Sequence, residues 1–85
     1  MYLYNYIEGK HPVSLLLELC RAQHWTVPAY ECVDVKGPSH MPNFLMRVIV
    51  NGVPYQPTSP SPNKKQAKAN ASLCALNALG YNMQS

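Results

Sequence analysis

"FLMRVIVNGVPY", residues 44–55, is the stretch whose reading decides the fold. Residues 44–50 are rich in β-branched and large apolar side chains, the composition of a strand. Asn51-Gly52 follows, the preferred pair for a tight type I′ turn, because both central residues need a positive φ. Residues 53–55 must then return antiparallel as a short third strand. Pro54 and Pro57 cannot donate to a ladder, so they mark that strand as an edge and end it.

Outward toward the N-terminus, "AYECVDV" (29–35) alternates, with Tyr30, Cys32 and Asp34 to one side and Glu31, Val33 and Val35 to the other. That pattern predicts a strand with one wet face. "KGPSHMPN" (36–43) is a loop by its glycine and prolines. "HPVSLLLELCRAQHW" (11–25) predicts a helix. Pro12 suits a first helical turn, where its missing N–H costs nothing. Val13, Leu16, Leu17 and Cys20 follow the spacing of a buried helix face. At about 100° per residue, Ser14, Glu18 and Arg21 fall on one polar stripe. Leu15 and Leu19 lie beyond the expected buried face, which leaves the helix apolar over more than half its girth. The tyrosine-rich arm before it is the nearest candidate to cover the excess. "TVP" (26–28) is expected to end the helix.

Toward the C-terminus, "QPTSPSP" (56–62) holds three prolines and is expected to be irregular. Asn63 is an N-cap, its side chain able to accept a first-turn backbone N–H. The helix beyond it presents Ala67, Ala71, Ala75 and Leu79 at i+4 spacing, small enough to lie close on a sheet, and Gly80 stops it. The order is α-β-β-β-α, a two-layer α+β domain with two helices on one face of a three-stranded antiparallel sheet. Residues 1–10 form an aromatic arm, 11–80 the domain and 81–85 a tail.

Bulk properties narrow the function. At 85 residues there is one small domain, and a chain this size buries only about 60% of its unfolded surface. Seven Lys and Arg against four Asp and Glu give a net charge of +3, a mild pointer toward nucleic acid. Cys20, Cys32 and Cys74 are odd in number and not spaced like metal ligands, so all three are read as small buried hydrophobes of a reducing compartment. No run approaches ~20 apolar residues, so no membrane span is expected. "MYLYNYI" lacks the basic start and cleavage site of a secretory signal. No acidic pair, Gly-rich phosphate loop or Cys/His arrangement has catalytic spacing, so an enzyme is not expected, nor a cofactor.

Lys64, Lys65 and Lys68 crowd the start of the second helix. There the free backbone N–H groups and the positive dipole end also favour anions, whereas lysine itself opposes the dipole. A sequence that tolerates this electrostatic cost suggests a use for the charge. The plain alternative is a solvated helix face. Three sites on one side would suit a duplex of RNA: the helix-1 stripe, the loop with Pro38 and His40, and the lysines. The minor groove of such a duplex is wide and shows 2′-hydroxyls, and its major groove is too deep for side chains to read. Lysines would take phosphates, while Ser14, Glu18 and His40 would take 2′-OH groups and base edges. Trp25, Tyr30, Phe44 and Tyr55 are read as core packing, since duplex bases are not open to stacking.

"HPVSLLLEL", Trp25 with "PAYE", "GPSHMPNF", "RVIVNG" and "NKKQAKANASLCAL" together resemble the double-stranded RNA-binding domain over residues 11–80. "KHPVSLLLELC", "NGVPYQP" and "SPNKKQAKA" are most similar to the copy in a large nuclear splicing cofactor, which implies a nuclear role in RNA processing. The resemblance implies that Glu18 is the acidic contact of the first helix, that His40 enters the next minor groove, and that Lys64, Lys65 and Lys68 bind phosphates. The sequence departs from the family at Leu17, where many members carry a polar groove contact. It departs also at Arg21, at Asn63 in place of a serine cap, and in the prolines that replace a glycine before the lysines. A second reading is a protein-interaction or dimerisation module on the same fold, using Leu15, Leu17 and the arm.

Overall fold

The computed structural model describes residues 11–81. Helix α1 spans Pro12–Ala22, strand β1 Ala29–Lys36, β2 Asn43–Val50, β3 Val53–Tyr55 and helix α2 Lys64–Ala78. The strands form one antiparallel sheet in the order β1-β2-β3. The expected α-β-β-β-α architecture is therefore present. The aromatic arm lies outside the described residues.

The hairpin forms as its sequence dictates. Asn51 has φ 50° and Gly52 φ 82°, the double positive φ of a type I′ turn. Val50 pairs with Val53, Ile49 with Pro54 and Val48 with Tyr55. Phe44, Met46, Val48 and Val50 face the helices and reach the core.

β1 departs from simple alternation. Its register against β2 shifts between Cys32, opposite Met46, and Asp34, opposite Leu45. Val33 is the extra residue of a β-bulge, and one extra residue exchanges the two faces beyond it. Asp34 therefore shares a face with Leu45, and Val35 shares the helix-facing side with Phe44. Both are the reverse of the alternation expected from sequence.

α1 is also rotated from expectation. Leu15, Leu16 and Cys20 are buried and Leu19 packs against the core, whereas Val13 and Leu17 are only half-buried. The run of three leucines fits two apolar faces equally well. Packing on α2 selects the one centred between Leu16 and Leu19. Leu15 is 4% exposed, so it is unavailable to a partner. Only Cys20 of the cysteines is buried; Cys74 is half-buried and Cys32, on the edge strand, is exposed.

α2 packs on β2 and on α1. Ala67, Ala71 and Ala75 are buried as their spacing predicts, and so are Ala69, Ser72 and Leu76. Both helices end alike. His24 N–H bonds to Arg21 C=O and Trp25 N–H to Cys20 C=O; Gly80 N–H bonds to Asn77 C=O and Tyr81 N–H to Leu76 C=O. These paired bonds are Schellman motifs, in which a left-handed residue satisfies the last carbonyls. Gly80 fills that position in α2 and His24, at φ 61°, fills it in α1. α1 thus stops before Thr26. Trp25 and Tyr81, just past the two ends, pack against the core, as do Tyr30, Phe44 and Tyr55.

Candidate nucleic-acid interface

The lysine end of α2 is held by a chain of polar contacts. Asn63 Oδ1 accepts the Gln66 N–H at 2.8 Å, the expected cap. Gln66 Nε2 donates to Asn70 Oδ1 at 3.1 Å, and Asn70 Nδ2 donates to Ser61 Oγ at 2.6 Å. Ser61 is buried at 3% exposure, and its N–H and C=O pair with Phe44 at 2.9 and 2.6 Å. The proline-rich approach to α2, though irregular, is therefore pinned to the first residues of β2. Its buried backbone groups find partners there, as burial requires.

Lys64, Lys65 and Lys68 are all exposed. Two of them lie over rings. The Lys64 ammonium is 5.6 Å from the Phe44 ring centroid, and the Lys68 ammonium is 4.8 Å from that of Tyr30. Such contacts are worth ~0.5–1 kcal/mol at exposed sites. The Tyr30 hydroxyl lies 2.5 Å from Ser72 Oγ, which donates to the Lys68 carbonyl at 3.0 Å. Tyr30 therefore donates to Ser72 and ties β1 to the helix one turn beyond Lys68. Burial pushes the Tyr30 phenol above its ordinary pKa. Burial likewise raises the Cys20 thiol.

The β1–β2 loop, residues 37–42, begins where Gly37 turns at φ 87°. Met41 N–H bonds to the Pro38 carbonyl at 2.9 Å, closing a tight turn that leaves Pro38 and His40 exposed. A Cβ on Gly37 would meet the Met41 carbonyl oxygen at 3.1 Å. At the loop's base, Lys36 pairs with Asp34 at 3.1 Å and holds its carboxyl below the usual range, with help from the Val35 N–H. The loop runs directly into Asn43 and Phe44. The GPSH turn and the lysine end of α2 therefore sit at the same end of the sheet, joined through Phe44.

On α1, Ser14 and Arg21 are exposed and Glu18 is half-buried. The three share the stripe turned away from Leu15, Leu16 and Cys20. Leu17 borders that stripe beside Arg21. On the sheet face opposite the helices, Arg47 pairs with Glu31 at 2.7 Å. Sequence reasoning named the lysines but missed Tyr30 and Phe44 as their platforms. The only signal would have been that both aromatics fall on the helix-facing side of the sheet, which depends on strand register.

Among the described residues, no cluster of His, Cys, Asp and Glu could hold a metal ion, and no helix is long and apolar enough to cross a membrane.

The model of the double-stranded RNA binding motif matches residues 12–79. The chain is 41% identical over 73 residues to Protein Son of Drosophila melanogaster, covering 86% of this chain and 8% of that protein. It is 49% identical over 51 residues to Protein SON of Mus musculus, covering 60% of this chain and 2% of that protein. It therefore spans only a small part of the length of these relatives. Among solved structures it is similar to Arabidopsis HYL1, with TM-score 0.75 and 34% identity over 82% of this chain and 97% of that one. It is similar also to the dsRBD of tRNA-dihydrouridine(20) synthase, with TM-score 0.77 and 31% identity over 88% of this chain and 77% of that one. On these matches and on its fold, the chain belongs to the double-stranded RNA binding motif family.

Proposed function

We propose that the domain binds double-stranded RNA, by shape more than by sequence, over roughly 16 base pairs. Ser14, Glu18 and Arg21 of α1 would face one minor groove, and Pro38 with His40 the next. Lys64, Lys65 and Lys68 would take the phosphates between them. The observation that carries this reading is the seating of the lysine end of α2 beside the GPSH turn, joined through Phe44. A duplex needs phosphate and minor-groove groups side by side, and a merely solvated helix face does not explain that placement. The family match and the likeness to Ribonuclease 3 of Chloroflexus aggregans, 38% identical over 65 residues, support the same reading. The chain covers 28% of that enzyme's length. The likeness to Protein SON supports a place in a longer nuclear protein of RNA processing.

The test is Lys64→Ala combined with Lys65→Ala in a duplex-RNA mobility-shift assay. Removing two phosphate contacts should weaken binding at least tenfold. Unchanged binding would rule the lysine end out as the clamp.

A further inference from the structure

We infer that Tyr30 and Phe44 are positioning residues for RNA binding, and that the three lysines are therefore not equivalent; the inference rests on the RNA reading above. A free lysine side chain carries rotamer entropy, much of which is lost when its ammonium is fixed on a phosphate. Lys64 and Lys68 surrender part of that freedom before RNA arrives, because their ammonium groups already lie over ring faces at 5.6 and 4.8 Å. A ring face attracts the cation without using a lone pair, so the N–H groups turned to solvent stay open to phosphate oxygens. Tyr30 holds Lys68 twice, through its ring beneath the ammonium and through Ser72 to the Lys68 carbonyl. Ser72 is fully buried, so that second tie is rigid. Phe44 is anchored in turn by its two backbone bonds to Ser61 and by the core. Among the described residues, no ring lies under Lys65 in the same way.

The test replaces the charge distribution of a ring while keeping its shape. Phe44→pentafluorophenylalanine reverses the potential of the ring face and should weaken duplex-RNA binding by roughly 2–5-fold, the scale of one exposed cation–π contact. Tyr30→Leu removes both the ring beneath Lys68 and the hydroxyl tie through Ser72 and should weaken duplex-RNA binding by a similar factor or more. In the RNA-free protein, the ε-methylene protons of Lys64 and Lys68 should show ring-current upfield shifts that those of Lys65 lack. Pentafluoro substitution with unchanged affinity, or ε-methylene shifts equal for all three lysines, would overturn the inference while leaving RNA binding intact. If the unsubstituted chain bound no duplex RNA, the RNA reading would fall and this inference with it, whatever the ring-current shifts.

Discussion

Individual residues carry two different kinds of task in this molecule. Lys64, Lys65 and Lys68 oppose the dipole of the helix they begin, so their placement costs stability. Asn63 offsets part of that cost by accepting the first-turn Gln66 N–H. Asn63→Ala should therefore lower stability by ~1 kcal/mol, measurable by urea denaturation. Tyr30 has a pH signature. Its phenol is raised by burial, so the fold favours the protonated form. That contribution is fully present below the unfolded value of about 10 and is lost as pH rises through the higher folded value. Stability should fall more steeply above pH 10 in the unsubstituted chain than in Tyr30→Phe, as followed by circular dichroism. His40 stands in a turn, exposed like both its neighbours. His40→Ala should leave the melting temperature unchanged and weaken duplex-RNA binding several-fold; equal binding would remove the loop from the interface.

At the level of elements, chain reversals and helix ends are governed by left-handed residues. Gly37 turns at φ 87° with the Met41 carbonyl 3.1 Å from where a Cβ would sit. Gly37→Ala should cost ~1–2 kcal/mol and shift the loop that presents Pro38 and His40, so stability and RNA binding should fall together. His24 occupies at φ 61° the position Gly80 fills at the end of α2. His24→Gly should raise stability by up to ~1 kcal/mol, and a loss on thermal melting would contradict the strain argued there. The hairpin, the N-cap and the Gly80 stop were legible because each is fixed by two to four neighbouring residues. The buried face of α1 was not. Three consecutive leucines leave the apolar stripe ambiguous, and only the contact with α2 chooses among its orientations. The bulge at Val33 was equally hidden, since nothing in "AYECVDV" marks one residue as extra until β2 is laid beside it.

Across the whole molecule, function depends on surfaces far apart in the chain. Residue types at the candidate site were readable: a polar stripe on a helix, a Gly-Pro turn with a histidine, and three lysines after an asparagine cap. Their arrangement was readable only in part. The fold order places the lysines near the sheet, but the seats of Lys64 and Lys68 on Phe44 and Tyr30 follow from strand register, which no local pattern reports. The partner surface expected at Leu15 is absent for a related reason, because that side chain completes the core. Phosphate contacts release counterions, so binding depends on salt. Each phosphate contact adds slightly less than one unit to the slope of log affinity against log salt, so the doubly lysine-substituted variant should lose about 1–2 units of slope. The most direct measurement is a titration of the chain with duplex RNA, duplex DNA and single-stranded RNA of matched length at two salt concentrations. Binding to duplex RNA should be tight and salt-sensitive, and binding to the other two at least tenfold weaker, because only the RNA duplex shows 2′-hydroxyls across a wide minor groove. Equal affinity for duplex DNA would contradict this expectation.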